Sequence, residues 1–141
     1  MYKRQPILGV IRGVGLSNDG RDRGLLVPSQ AGQVRAMHQA YAQADLNPDS
    51  VGWIECHATG TTVGDGTELK SMAQVFSQST PISSLKANLG HLITASGVAG
   101  LLKVLEAFKH EEMPPSPNIE TPHTLLKELS LIHISEPTRR S

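Results

Sequence analysis

Apolar residues recur at helical spacing in three parts of the chain. This spacing predicts a helix over residues 30–45, a second that begins at Asp65, and a third over 92–110. The apolar stripes are Val34, Met37, Tyr41 and Ala44 in the first, Leu69, Met72, Ala73 and Phe76 in the second, and Val98, Leu101, Leu102, Leu105 and Phe108 in the third. Asp65 and Glu68 have the spacing of a capping box, which predicts the start of the second helix.

Short apolar runs between these helices predict strands over residues 7–16, 51–56 and 82–85. Four prolines within residues 113–122 predict an extended surface loop. Because predicted strands and helices alternate, the pattern favours an α/β fold with mainly parallel strands.

Composition excludes several classes of protein. The 141 residues suit one domain, and 13 basic and 13 acidic side chains cancel, so nucleic-acid binding has no electrostatic support. A single cysteine excludes an internal disulfide scaffold. No apolar run approaches the roughly 20 residues of a membrane span, and residues 1–5 are not followed by the apolar region of a secretion signal. We therefore expect a cytoplasmic protein with no membrane or nucleic-acid partner.

Two histidines lie at predicted strand-to-helix junctions. His57 directly follows the strand predicted over 51–56, and His91 ends the loop that follows residues 82–85. Since ligands of open α/β sheets bind at the carboxyl ends of strands, both histidines fall on the functional edge. One such histidine would ordinarily be a surface or core residue, and it is the pair that indicates a site. The other four histidines, His38, His110, His123 and His133, lack metal-ligand spacing, so no metal site is expected.

Two other chemistries near His57 are disfavoured. Cys56 could be paired with His57 as a nucleophile, but neighbouring residues on a strand point to opposite faces, so we expect Cys56 to pack in the interior. The Gly-rich loop over residues 60–66 could be a phosphate cradle, but it lacks the lysine and the spacing of the known phosphate-binding and dinucleotide-binding motifs.

Two long segments resemble motifs of the β-ketoacyl synthases. Residues 55–61 (ECHATGT), followed by Gly64, Asp65 and Glu68, are similar to the family's E-A-H-G-T-G-T…G-D-P-x-E motif. Residues 84–91 (SLKANLGH), running into 95–100 (ASGVAG), are similar to its S-x-K-x-N-x-G-H…A-A-G-x-A-G motif. Residues 18–20 (NDG) and 113–115 (MPP) also resemble short motifs of the ketosynthases of modular polyketide synthases. Ala58 stands where the family has glycine, and Gly66 where it has proline.

The resemblance implies an α/β, thiolase-like fold with layered helices and sheets, of which this chain would be a middle-to-C-terminal slice. The partial ketosynthase domain would cover residues 6–128. Residues 1–5 and 129–141 are expected to be foreign to the family, because the end segments resemble translated sequencing-adapter read-through. The implied reaction is a decarboxylative Claisen condensation of a malonyl-type carrier thioester with an enzyme-bound acyl thioester, in polyketide or fatty-acid biosynthesis.

The resemblance also implies roles for individual residues. His57 and His91 would be the catalytic pair that holds the enolate oxygen, and Lys86 the lysine that orients the site. Thr59 and Thr61 would hydrogen-bond the phosphopantetheine arm of an acyl carrier protein. The remaining motif residues would have structural roles at the site: Asp65, Glu68, Asn88 and Gly90. No directly bound cofactor or metal is implied. The carrier protein would be the partner, and the complete enzyme a homodimer.

The position of the nucleophile leaves alternatives open. In the family it lies in a cysteine motif upstream of the matched region, so we expect this chain alone to be inactive. A second interpretation is a non-catalytic partner subunit similar to a chain-length factor, although intact His57, Lys86 and His91 argue against it. A free-standing α/β binding module is a third, which the incomplete set of motifs disfavours.

Overall fold

The computed structural model describes residues 5–20, 27–117, 119, 121–128, 131–133 and 138–139. The α-helices are α1 (Gln30–Ala44), α2 (Thr62–Val75), α3 (Lys86–Leu89), α4 (Ser96–His110) and α5 (Leu125–Glu128). The strands are β1 (Ile54–Glu55), β2 (Thr80–Ser83), β3 (Glu112–Met113), β4 (Leu131–His133) and β5 (Thr138–Arg139). Single 3₁₀ turns cover Pro48–Ser50 and Ile93–Ala95. Within the described residues, no helix is long and apolar enough to cross a membrane.

A small parallel sheet organises the chain. Its strand order is β1-β2-β4, with Ile54 opposite Ile82 and Glu55 opposite Ser83. This parallel pairing is the one predicted from the alternation of strands and helices. A separate antiparallel pair joins β3 to β5, so Met113 lies in a strand where the prolines predicted a loop. The expectation that residues 1–5 and 129–141 are foreign falls on segments that lie largely outside the described residues.

The apolar core lies between the sheet and α2. Its buried members are Cys56, Leu69, Met72, Phe76 and Ile82. Helix α1 packs against α2 and brings the Tyr41 ring edge-on to that of Phe76, with centroids 5.7 Å apart. The helical stripes predicted for α1 and α2 therefore do face a common core.

The strand predicted over residues 7–16 is wrong. No described strand pairs with this segment, which runs along α1. The backbone N–H of Val14 donates to Gln43 Oε1 at 2.7 Å, and that of Leu16 to Gln39 Oε1 at 2.9 Å. Side chains of α1 thus take the place of a neighbouring strand. The large apolar side chains of this segment stay in solvent, with Ile7 84% and Leu16 80% exposed.

The bounds of the third predicted helix also need correction. Residues 92–95 are not part of it, because α4 begins at Ser96. Leu92 (φ 59°) and Ile93 (φ 43°) have left-handed backbone conformations that an α-helix cannot contain. The bounds of the other two predicted strands are closer to those in the structure. The one expected over 51–56 is the short β1, and the one expected over 82–85 is β2, shifted two residues earlier.

Candidate functional site

The structure brings His57 and His91 together. Their ring centroids lie 5.2 Å apart, and the ring planes are nearly perpendicular at 82°. His57 follows β1 and His91 follows α3, which itself comes directly after β2. Because β1 and β2 are parallel neighbours, their carboxyl ends meet at one edge of the sheet, as the sequence predicted. Both residues are exposed to solvent, so a substrate can reach them.

A carboxylate from α2 holds the turn that carries His57. Glu68 Oε1 accepts a hydrogen bond from the backbone N–H of His57 at 2.7 Å, and Oε2 accepts one from Ala58 at 2.8 Å. Ala58 has a positive φ of 28°, so the chain reverses sharply just after the histidine. Two charge-assisted bonds therefore fix the backbone on which the His57 ring is mounted.

The predicted capping box of Asp65 and Glu68 is wrong. Helix α2 begins three residues earlier, at Thr62, and Thr61 occupies the N-cap position without a side-chain capping bond. Glu68 cannot reach back to a cap, since both of its oxygens already bind the His57 turn. The Glu68 carboxylate therefore stabilises the turn that carries His57, and it does not cap the N-terminus of α2.

Local backbone geometry holds the segment that carries His91. Asn88 donates its backbone N–H to Leu85 O within α3, and Gly90 ends the helix by donating to Lys86 O, both at 2.9 Å. Gly90 has φ 75° and ψ −172°, a conformation essentially restricted to glycine. Leu92 then adopts a left-handed conformation, so His91 lies between two reversals of the chain.

The electrostatic environment favours the neutral form of His57. Partial burial is the largest cause that lowers the pKa of its imidazole, and the positive charge of Lys86 is the second. Glu68 acts in the opposite direction and raises the pKa, but the net shift is downward. At pH 7 His57 is therefore neutral and able to donate one N–H.

Thr59 and Thr61 lie beside the His57 turn, with their hydroxyl oxygens 3.3 Å apart. Thr59 and Lys86 line a cavity of about 680 Å³, to which Ser116, Ile119 and His123 also contribute. Asp65 also lines it, and its buried Oδ1 has no hydrogen-bond partner among the described residues. The cavity has the size of ordinary small-molecule sites. Among these residues, no cluster of three or more His, Cys, Asp or Glu side chains suits a metal ion.

The Cys56 side chain packs in the core, where it also lines the 680 Å³ cavity. The residue is 6% exposed, and its Sγ lies 3.9 Å from Met72 Sδ in the core. Burial raises the pKa of the thiol far above its usual value. Cys56, the residue after β1, thus lies in the interior, as the sequence predicted.

Sequence reasoning missed a group of polar residues on the opposite face of the sheet. Lys103 of α4 forms an ion pair with Glu55 Oε2 at 2.8 Å, and both side chains are largely buried. A sequence signal for them existed. Glu55 is the one charge within the apolar run 51–56, and Lys103 interrupts the apolar residues of the third helix. Isolated charges at positions of predicted burial indicate such pairs.

Comparison with protein families gives a match over most of the chain. The family model described as "Beta-ketoacyl synthase, C-terminal domain" matches residues 8–120. The 5-methyl-1-naphthoate synthase of Streptomyces sahachiroi is 36% identical over 140 residues, which are 94% of this chain and 8% of that protein. A hybrid PKS-NRPS synthetase of Aspergillus terreus is 39% identical over 121 residues, 83% of this chain and 18% of that protein.

Solved structures show the same relationship. The module 6 ketosynthase of the Bacillus subtilis bacillaene synthase superposes with a TM-score of 0.90 at 33% identity, covering 96% of this chain and 26% of that one. The oxazolomycin ketosynthase domain from Streptomyces albus gives 0.89 at 31% identity, covering 95% and 24%. The predicted thiolase-like α/β fold, as a partial slice, is thereby confirmed. The chain spans about a quarter of these ketosynthases and less of the curated relatives.

Proposed function

Since the chain belongs to the β-ketoacyl synthase family and matches its C-terminal domain, we propose that it supplies the two-histidine part of a condensing active site in polyketide biosynthesis. The complete enzyme would join a malonyl-type thioester, carried on the phosphopantetheine arm of an acyl carrier protein, to an acyl group held on a cysteine. The edge-on approach of His57 and His91, with ring centroids 5.2 Å apart, is the observation that carries the proposal.

The chemistry explains why two neutral imidazoles are needed. When the bond between the malonyl carboxylate and the α-carbon breaks, CO₂ leaves and the electron pair spreads onto the thioester oxygen. Two N–H donors aimed at that oxygen stabilise the enolate, and they do so most where charge develops in the transition state. The α-carbon then attacks the acyl thioester carbonyl, and the cysteine thiolate departs as the new carbon–carbon bond forms.

The lowered pKa of His57 supports its role in this step. A cationic imidazole next to the enolate would protonate the carbanion and waste the malonyl unit. Lys86 helps to prevent this, because its positive charge disfavours a second positive charge on the neighbouring ring. The intact trio of His57, His91 and Lys86 gives the chain-length-factor interpretation no support.

Decarboxylation tests the histidine assignment. The host is a complete solved ketosynthase in which residues 8–120 replace the matching segment, here called the graft. We expect His57→Ala or His91→Ala to slow CO₂ release from malonyl carrier protein by about 10²–10³-fold, with acylation of the host cysteine retained. His38→Ala, which removes an exposed imidazole from α1, is the matched control. Release of CO₂ at the parent rate by both histidine variants would refute the proposal.

Thr59 and Thr61 are proposed to bind the carrier arm. The support is their place beside the His57 turn and the opening of Thr59 into the 680 Å³ cavity. Thr59→Val should raise KM for malonyl carrier protein about 2–10-fold, since one hydrogen bond worth about 0.5–1.5 kcal/mol is lost. Thr67→Val is the control, because the Thr67 hydroxyl bonds to Val63 O within α2. An unchanged KM in the Thr59 variant would contradict this role.

The 141-residue chain by itself should not become acylated. Its one cysteine, Cys56, is buried and has a raised pKa, so the reactive thiolate is scarce and inaccessible. Incubation with an acyl thioester, followed by mass spectrometry of the intact chain, tests this. Stoichiometric acylation of Cys56 would overturn the assignment of the nucleophile to another part of the enzyme.

A further inference from the structure

A buried polar cluster lies on the face of the sheet that packs against α4, and the reaction above leaves it without a role. We call Trp53, Glu55, Ser83 and Lys103 the Glu55 cluster. Lys103 Nζ lies 2.8 Å from Glu55 Oε2, and the two side chains are only 6% and 14% exposed. Lys103 and Trp53 Nε1 both donate to Ser83 Oγ, at 2.8 and 2.9 Å, and the Ser83 hydroxyl donates to Glu55 at 2.7 Å. The ammonium also lies 5.4 Å from the Trp53 ring centroid.

The Glu55 carboxylate connects the two histidine segments. Glu55 ends β1, two residues before His57. Its second oxygen, Oε1, accepts the backbone N–H of Leu85 at 2.5 Å. Leu85 immediately precedes Lys86, and α3 then leads directly to His91. One side chain thus joins the strand that leads to His57 to the peptide from which the Lys86–His91 segment starts.

The cluster also connects these segments to α4. Lys103 projects from the second turn of α4, the helix that follows His91. Gly100, one turn earlier and buried, lies so close that a Cβ there would sit 3.2 Å from Glu55 Cγ. The helix therefore approaches the sheet where the carboxylate sits, and a larger residue at position 100 would displace it.

Stability alone is a weak reason for such a cluster. Burial of two charges costs desolvation energy that their attraction often fails to exceed, and apolar replacements of similar volume are often neutral. Exact placement is a stronger reason, because a shift of about 1 Å in a catalytic group can cost about 100-fold in rate. Every hydrogen bond of Glu55 goes to an element that leads into or follows the histidine site.

We propose that Glu55, held by Lys103, is a positioning residue that sets the distance between His57 and His91, a role in catalysis that rests on the function proposed above. Glu55 does not touch the substrate. It acts by fixing the start of the Lys86–His91 segment relative to β1. The loss of its contacts should reduce the rate of decarboxylation without weakening carrier binding.

The first test compares substitutions in the graft. Glu55→Ala should lower kcat for CO₂ release about 10–100-fold and leave KM unchanged. Glu55→Gln should also lower kcat, because an amide NH₂ then faces the ammonium. Adding Lys103→Met to it should restore most of the rate, since the glutamine oxygen still accepts from Leu85. Glu106→Gln, in the exposed Glu106–Lys109 pair of the same helix, is the control.

A glycine pair in α4 provides a milder second test. Gly100→Ala pushes on Glu55, whereas Gly97→Ala meets no atom within 4 Å. Both changes add the same methyl group to the same helix, so they share the gain in helix propensity. Only Gly100→Ala should lower kcat, by about 3–10-fold. Equal kcat values in the two variants would contradict the proposal even if Glu55→Ala failed to fold.

A spectroscopic readout separates this proposal from the proposed function. In histidine-labelled graft, the nuclear Overhauser contact between the His57 and His91 rings should weaken in Glu55→Ala at temperatures where the circular dichroism matches the parent. Parent kcat and an undiminished contact in Glu55→Ala would overturn the positioning role. If His57→Ala left decarboxylation intact while Glu55→Ala lost the contact, the proposed function would fail and the geometric role of Glu55 would stand.

Discussion

The segments that carry His57 and His91 meet at one site but are held by different means. The His57 turn is fixed from outside, by a carboxylate eleven residues further along the chain that accepts two successive peptide N–H groups. The His91 segment is fixed from within, by Gly90, Leu92 and Ile93, whose positive φ values reverse the chain on both sides of the α3–α4 junction. A distant side chain supports the His57 turn. Local backbone conformation shapes residues 90–93, and Glu55 ties only the start of the preceding helix α3 to β1.

Each histidine segment should therefore be sensitive to a different kind of substitution. A turn held by a remote carboxylate should tolerate changes in its own residues and fail when the carboxylate is lost. Residues 90–93, which are shaped by their own dihedral angles, should respond most to residue type at the positions with unusual angles. The following substitutions test that contrast.

Removal of the Glu68 carboxylate should have the largest effect. Glu68→Ala leaves the N–H groups of His57 and Ala58 without their partners, and charge-assisted bonds are each worth about 1.5–3 kcal/mol. We expect the free energy of unfolding of the graft to fall by about 3 kcal/mol, together with most of the decarboxylation activity. Denaturant titration measures the free energy of unfolding. Gln74→Ala, on the exposed side of α2, is the control, and a Glu68→Ala variant as stable as that control would contradict the contrast.

The corresponding change in the His91 segment is Gly90→Ala. At φ 75° and ψ −172° a Cβ is strained, and such conformations cost about 1–3 kcal/mol. No atom lies within 4 Å of that Cβ, so the cost comes from the backbone alone. Thermal unfolding should show a loss of that size, accompanied by slower CO₂ release. An unchanged melting temperature would mean that the segment is not held by its own dihedral angles.

A gain in stability is expected at Ala58. Its φ of 28° lies in the left-handed region, where a Cβ costs about 1–2 kcal/mol, and part of that gain is offset by the entropy of glycine. Ala58→Gly should therefore stabilise the graft by about 0.5–1 kcal/mol. Glycine is also what the related motif carries at this position. Destabilisation in a denaturant titration would show that the methyl group makes contacts that outweigh the strain.

The smallest effect concerns pH. Because the pKa of His57 is lowered in the folded chain, the unfolded chain binds its proton more readily. The His57 contribution therefore destabilises the fold as pH falls below the ordinary value of about 6.5, and it disappears at neutral pH. Lys86→Met should raise the pKa of His57, which an NMR titration of the imidazole would detect. A downward shift, or none, would show that Lys86 does not act on this ring.

The sequence predicted where the two histidines lie better than it predicted the elements around them. His57 and His91 were placed correctly, because strand ends in a parallel sheet converge whatever the exact bounds of the strands. The strand predicted over residues 7–16 is wrong, since the alternation of apolar residues indicates an extended segment with two different faces but not a neighbouring strand to pair with. Glu68 was assigned to a helix cap because spacing along a helix does not show which backbone groups lie opposite it.

Because Cys56 is buried, its modification by a thiol reagent reports local opening of the core. A thiol reagent modifies only the thiolate, and here the raised pKa and the packing against Met72 both suppress that form until the α2 face of the sheet separates. The labelling rate is then the intrinsic rate of an exposed thiol multiplied by the fraction of molecules that are open. Since the chain has a single cysteine, one mass shift would report the fraction of molecules in which the core between the sheet and α2 is open.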